Sequence, residues 1–139
     1  MKNKIIALIP ARKGSERIKD KNIVKLHNLP LIAHTIIAAK KTNLFSKIIV
    51  STNSLKYAKI AKKYGAEIPF LRPKNISKDK STDLQCFKHC LSYLKKKEKY
   101  VPDLIVQLRP TYPLRKKNLV DNCIKELLKK KNIILYEQF

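Results

Sequence analysis

With 139 residues, 44% of them hydrophobic, the chain is long enough to bury one sizeable core and too short for two, so a single domain over residues 1–139 is expected. No window approaches the roughly 20 apolar residues of a membrane span, and the apolar run at residues 5–9 is too short for a signal peptide, so the chain reads as soluble and cytoplasmic. The net charge of +22 would suggest nucleic acid or an anionic membrane, but 27 of the 32 basic residues are lysines dispersed along an isoleucine- and asparagine-rich chain, and both partners are disfavoured.

The elements alternate. A β-branched apolar run at residues 5–9 predicts a first strand, and a basic loop follows it. Leu29, Ile32, Ala33, Ile36 and Ile37 make an amphipathic helical stripe, and residues 48–50 a second strand. Tyr57, Ile60, Ala61 and Tyr64 form a second stripe, ended by Gly65 where a left-handed residue closes a helix. Residues 68–71 predict a third strand; Leu84, Phe87, Leu91 and Leu94 a third helix; residues 104–108 a fourth strand. Leu119, Val120, Cys123, Ile124, Leu127 and Leu128 mark a fourth helix, and "IILYEQF" at the end is strand-like.

Short non-alternating strands separated by helices imply βαβ units with right-handed crossovers. The expected class is therefore α/β: a doubly wound, mainly parallel sheet in three αβα layers.

Cys86, Cys90 and Cys123 form an odd set without zinc-site spacing, and they read as reduced, mostly buried thiols. Cys86, His89 and Cys90 share one predicted helix, where burial in the core is favoured over a metal site.

In open α/β sheets ligands bind beyond the carboxyl ends of the strands. All five arginines, Arg12, Arg17, Arg72, Arg109 and Arg115, fall in predicted loops or at strand ends, and the arginine fork suits phosphate and carboxylate. In the first loop, "PARKGSER", Gly14 permits close backbone approach to an anion, Arg12 and Lys21 bring charge, and Ser15 offers a hydroxyl. The loop matches neither GxGxxG nor GxxxxGK[ST], which excludes the two common nucleotide fingerprints.

The wording "IIALIPARKGSERIKDKNI" resembles the opening of the acylneuraminate cytidylyltransferases, which activate sialic and other nonulosonic acids. The resemblance continues through "LPLIAHTIIAAK", "LFSKIIVSTN", "YGAEIPFLRP" and "LRPTYPLR", the last like the family's PTSPLR signature. It implies a Rossmann-like nucleotidyltransferase fold and a reaction in which CMP passes from CTP to a nine-carbon sugar acid with release of pyrophosphate. Carried over, it assigns the triphosphate and ribose of CTP to Arg12, Ser15, Lys21 and Asn22, with Ala11 and Gly14 in the same loop. Arg72, Arg109, Pro110 and Thr111 would line the cytidine pocket, and Arg12 and Lys21 would act on the reacting phosphates. Asn53 and Tyr112 depart from the aspartate and serine of many relatives.

The resemblance also implies Mg²⁺ and a homodimer, with acidic metal ligands, sugar contacts and dimer surface in a C-terminal part of the family domain beyond this chain. Asp79 and Asp83 read as helix-capping residues, so no protein metal ligand is assigned. The alternative that this reading leaves open is a truncated, non-catalytic nucleotide-binding remnant of the same family.

Overall fold

The computed structural model describes residues 2–15, 17–116 and 118–130. Strand β1 (Ile5–Pro10) lies at the centre of a parallel sheet, between β4 (Lys47–Ser51) on one side and β5 (Leu104–Gln107) on the other. Leu8 pairs with Ile49 and with Gln107, which fixes the register on both edges of β1. A small antiparallel hairpin, β2 (Lys25–Leu26) and β3 (Leu29–Pro30), precedes helix α1 (Leu31–Lys41). Leu29, expected in the helical stripe, therefore belongs to the hairpin, and Pro30 marks the helix boundary. Helices α2 (Leu55–Lys63), α3 (Asp83–Glu98) and α4 (Leu119–Lys129) complete the described architecture.

Alternate residues of β1 serve opposite faces, as the pleat requires. Ile5, Ala7 and Ile9 join Ile32 and Ile36 of α1, Ala61 of α2 and Ile124 of α4 in one core. Ile6 and Leu8 join Cys86, Cys90 and Leu94 of α3 in the other. The sheet is thus covered on both faces, in the three-layer α/β arrangement expected from the alternation. Among the described residues no helix is long and apolar enough to cross a membrane.

The helix boundaries follow local chemistry. Ser54 caps α2 by accepting from the Tyr57 N–H at 3.2 Å. At its other end Gly65 adopts φ +101°, donating to Lys62 while Ala66 donates to Ala61, the paired bonds of a Schellman motif. Thr82 and Gln85 form a reciprocal capping box at the start of α3.

Three expectations need correction. Residues 68–71 do not form a strand; the ladder is reduced to a bridge at Glu67, which donates to Ile48 and accepts from Val50. The next donor in that parallel ladder would be residue 69, a proline without an N–H, so the pairing stops there. The chain still runs beside β4, because Arg72 N–H reaches Thr52 C=O at 2.7 Å. Second, Leu84 is 58% exposed rather than part of the α3 core stripe, and Cys123 is exposed while Cys86 and Cys90 are buried. Third, Thr82, not Asp79 or Asp83, caps α3. The strand-like C-terminal stretch lies outside the described residues.

Candidate active site

The chain winds from β1 to β4 on one side, then crosses through α3 to β5 on the other, so the winding direction reverses at β1. Such a reversal splays the loops leaving the two adjacent strands and opens a crevice at their carboxyl ends. A cleft of about 450 Å³ lies there, lined by the loop after β1, by Arg72, by the start of α3 and by residues 109–111.

Of the residues expected to bind nucleotide, Arg12, Ser15, Lys21, Asn22, Arg72, Arg109, Pro110 and Thr111 line this cleft. Ala11 and Gly14 do not. Ala11 is fully buried in the core beneath the loop, and its N–H donates to Ser51 C=O at 2.9 Å. Gly14 bends the loop at φ +112°, in the region that disfavours side chains, and its carbonyl accepts from Arg12 Nη1 at 3.1 Å.

The loop is fastened at three points. Asn53 Oδ1 accepts from the Lys13 N–H at 2.8 Å, Asn22 Nδ2 donates to Arg12 C=O at 3.0 Å, and the Tyr57 hydroxyl donates to Asp20 at 2.7 Å. Asn53 thus holds the loop backbone through its side-chain oxygen. Tyr57 is buried, and that burial, with the Asp20 carboxylate second, pushes its phenol well above the ordinary value of 10.0. The same hydrogen bond, aided by Lys56, Lys13 and Lys19, holds the Asp20 carboxyl below its ordinary 3.8.

The signs set the pH window. The Asp20 contribution is present above pH 3.8 and lost as pH falls through the lowered folded value; the Tyr57 contribution is present below pH 10.0 and lost in alkali. Tyr57→Phe is expected to lower the unfolding midpoint at neutral pH while leaving the acid end little changed, which flattens the acid limb of the profile. An unchanged acid limb would show that this bond does not fasten the loop.

Arg72 is the most deeply placed cation of the cleft, 7% exposed. Its Nε donates to Ser51 Oγ at 3.0 Å and its Nη2 to Ser51 C=O at 2.9 Å. Burial, with Arg12 nearby, works against its charge and lowers its pKa. Among the described residues no carboxylate lies within ion-pair distance of Arg72; Asp83 favours its charge only from longer range, and Ser51 supplies the close contacts.

Two carboxylates of the cleft are taken by arginines. Arg12 Nη1 lies 3.0 Å from Asp79, and Arg109 pairs with Asp83. Among the described residues the cleft therefore gathers Arg12, Arg17, Lys21, Arg72 and Arg109 around Asp79 and Asp83. Both ion pairs are partly exposed, the range in which such pairs contribute about 0.2–1 kcal/mol. Asp79→Asn is accordingly expected to free Arg12 and tighten pyrophosphate binding about twofold to fivefold at low salt, read by calorimetry. Weaker binding would mean that Asp79 orients Arg12 instead of competing for it.

Sequence reasoning did not place Ser81, Thr82, Asp83 and Cys86 at this cleft. Cys86 is buried with Cys90 against Phe70, and burial pushes the Cys90 thiol up to about 12. His89 packs edge-on to Phe70 at a centroid distance of 4.5 Å, and burial beside Arg72 lowers its pKa. Among the described residues no group of three or more His, Cys, Asp or Glu is placed to hold a metal ion. Asp79 and Asp83, the carboxylates that the described cleft offers, are both engaged by arginines, so neither is assigned to Mg²⁺.

Comparison with known proteins bears on the same region. The profile of the family described as cytidylyltransferase matches residues 6–138. The N-acylneuraminate cytidylyltransferase of Escherichia coli O18:K1:H7 is 39% identical over 125 residues, which cover 90% of this chain and 28% of that protein. The CMP-N,N'-diacetyllegionaminic acid synthase of Legionella pneumophila is 36% identical, covering 87% and 52%. The pseudaminic acid cytidylyltransferase of Campylobacter jejuni serotype O:23/36 is 32% identical, covering 98% and 57%. The chain thus spans between about a quarter and three-fifths of the length of these relatives. Among solved structures, a CMP:2-keto-3-deoxy-manno-octonic acid synthetase complexed with CTP aligns with a TM-score of 0.74 at 18% identity, covering 94% of this chain and 49% of that one. A cytidylyltransferase from Leptospira borgpetersenii aligns at 0.72 and 22%, covering 94% and 51%. At those identities the structural likeness establishes the fold.

Proposed function

The chain belongs to the cytidylyltransferase family, and from that premise we propose that it binds CTP in the cleft beside β1 and serves transfer of CMP to a nonulosonic acid, with release of pyrophosphate. The observation that carries this reading is the convergence of Arg12, Lys21 and Arg72 at the point where the sheet reverses its winding. Three relatives named for neuraminate, legionaminate and pseudaminate chemistry support the sugar-acid class, and a CTP complex of a protein of this fold supports the donor.

In this reaction the anomeric oxygen of the sugar acid forms a bond to the α-phosphorus as the bond to the β-phosphate oxygen breaks, and pyrophosphate leaves with the electron pair. Such transfers need little covalent help; they need the triphosphate aligned and its charge stabilised by preorganised donors. Arg72, held by Ser51, supplies a fixed buried charge, while Arg12 and Lys21 supply the more exposed charges of the loop. Pyrophosphate carries much of the charge that Arg12 and Lys21 neutralise, so we assign them to the leaving group. Arg109, Pro110 and Thr111 form the opposite wall and are proposed to meet the nucleoside. Mg²⁺, which the family resemblance implies, would add neutralisation of phosphate charge when bound with the nucleotide. CTP as donor places the reaction in the cytoplasm, and assembly as a homodimer is part of the same proposal.

The test is pyrophosphate release from CTP in the presence of N-acetylneuraminic, diacetyllegionaminic or pseudaminic acid. Release with one acid above the others supports the reading and names the substrate. CTP binding without release for any of the three would favour the second reading, a nucleotide-binding module without turnover.

A further inference from the structure

We propose that Ser51 is a positioning residue of the cleft, holding the Arg72 guanidinium edge-on so that its remaining nitrogen faces the anion. The inference rests on the anion-binding reading of the cleft and adds to it a residue that no ligand can touch. Ser51 is the last residue of β4, is fully buried, and does not line the cleft.

Ser51 engages Arg72 twice, through its hydroxyl at Nε and its carbonyl at Nη2. Two bonds from one residue along one edge of a planar fork fix both its position and its rotation, which a single contact would leave free. The face of the fork left over is Nη1. Arg72 lines the cleft, and neither of its two side-chain bonds uses Nη1. A buried guanidinium with no carboxylate at ion-pair distance among the described residues is costly, and an entering phosphate oxygen supplies a counter-charge at close range.

The Ser51 carbonyl has a second task. It also accepts the N–H of Ala11, the residue immediately before Arg12, at 2.9 Å. One carbonyl therefore sets the spacing between the loop after β1 and the Arg72 wall. Backbone and hydroxyl act together: the strand end registers the two walls, and the hydroxyl orients the charge between them. Nothing in the sequence signals this, since Ser51 is a small polar residue at the end of an apolar run.

Two readouts on the 139-residue chain separate this role from the nucleotide reading itself. The first is the solvent exchange of the Arg72 Nε–H proton by NMR in the ligand-free protein; the second is the affinity for inorganic pyrophosphate and for CTP. In Ser51→Ala the Nε–H exchange is expected to accelerate and both affinities to fall about tenfold, since a hydrogen bond to a charged group is lost in a buried setting. In an Arg72→Lys background the same Ser51→Ala change is expected to leave affinity nearly unaltered, a non-additivity that general destabilisation would not produce. Unchanged Nε–H exchange in Ser51→Ala would overturn the inference. So would faster exchange with undiminished pyrophosphate affinity, which leaves the nucleotide reading standing. If the unsubstituted chain binds neither pyrophosphate nor CTP while its Nε–H stays protected, the nucleotide reading fails and the role assigned to Ser51 fails with it.

Discussion

Replacing Arg72 with alanine is expected to weaken CTP binding by about a hundredfold, the largest effect of any single substitution in the cleft. The reason is placement. Arg12 and Arg109 already have carboxylate partners and are partly exposed, so their pairing with a phosphate is an exchange of one counter-ion for another in a screened setting. Arg72 is buried and, among the described residues, has no carboxylate at ion-pair distance, so the ligand gains a charge-assisted bond without displacing a contacting counter-ion. Bonds of that kind contribute about 1.5–3 kcal/mol, and each 1.4 kcal/mol is a decade of affinity. Arg72→Lys should recover little, because an ammonium cannot make two bonds to Ser51 and also present a third direction to the ligand. Removing an unpaired buried charge relieves its own desolvation cost, so Arg72→Ala is expected to remain folded. Calorimetric titration with CTP reads the effect; a loss below about threefold would mean that the triphosphate does not reach the buried end of the cleft.

The second large effect concerns the frame. Leu8→Ala is expected to destabilise the protein by about 3 kcal/mol, within the 2–5 kcal/mol seen for large-to-alanine changes in cores. Leu8 is fully buried on the central strand, paired on both sides, and packed in the cluster that holds α3 to the sheet through Cys86, Cys90 and Leu94. Against a total stability of about 5–15 kcal/mol for a domain, that loss is a large share. It also reaches the site: α3 carries Asp83 at its first turn, and β1 leads directly into the loop of Arg12. Urea unfolding should show a lower midpoint with unchanged slope. A shift worth less than about 1 kcal/mol would indicate that the α3 face of the sheet repacks around the smaller side chain.

The sheet was legible in the sequence because parallel strands buried on both faces leave continuous β-branched runs, as in "IIALI" and "LIV". Gly65 marks a helix end through local chemistry, which a sequence carries openly, whereas the cap of α3 fell to Thr82 and not to the expected Asp79 or Asp83. The strand expected at residues 68–71 failed on one atom group, the N–H that Pro69 lacks, while its apolar neighbours kept a strand-like pattern. The cationic half of the cleft was also readable, since strand ends of an α/β sheet converge and four of the five arginines, Arg12, Arg17, Arg72 and Arg109, line it, while Arg115 lines a separate one.

The acidic half was not. Asp79 and Asp83 follow Arg72 in sequence but meet Arg12 and Arg109, partners chosen by the crossing of α3 over the sheet and by no local spacing. The same holds for Tyr57, whose helical position suggested only core packing until the fold brought Asp20 to its hydroxyl. Ser51 shows the limit most clearly, because its importance lies in two bonds that exist only when β4, β1 and the Arg72 segment are side by side.

The most direct test of the central claim is calorimetric titration of the 139-residue chain with CTP, with ATP and UTP as controls at moderate salt. A cytidylyltransferase cleft of this form predicts saturable one-to-one binding of CTP, tighter than either control and weakened about a hundredfold in Arg72→Ala. Equal binding of all three nucleotides, or binding that vanishes only with rising salt, would reduce the cleft to a basic surface and contradict the assignment.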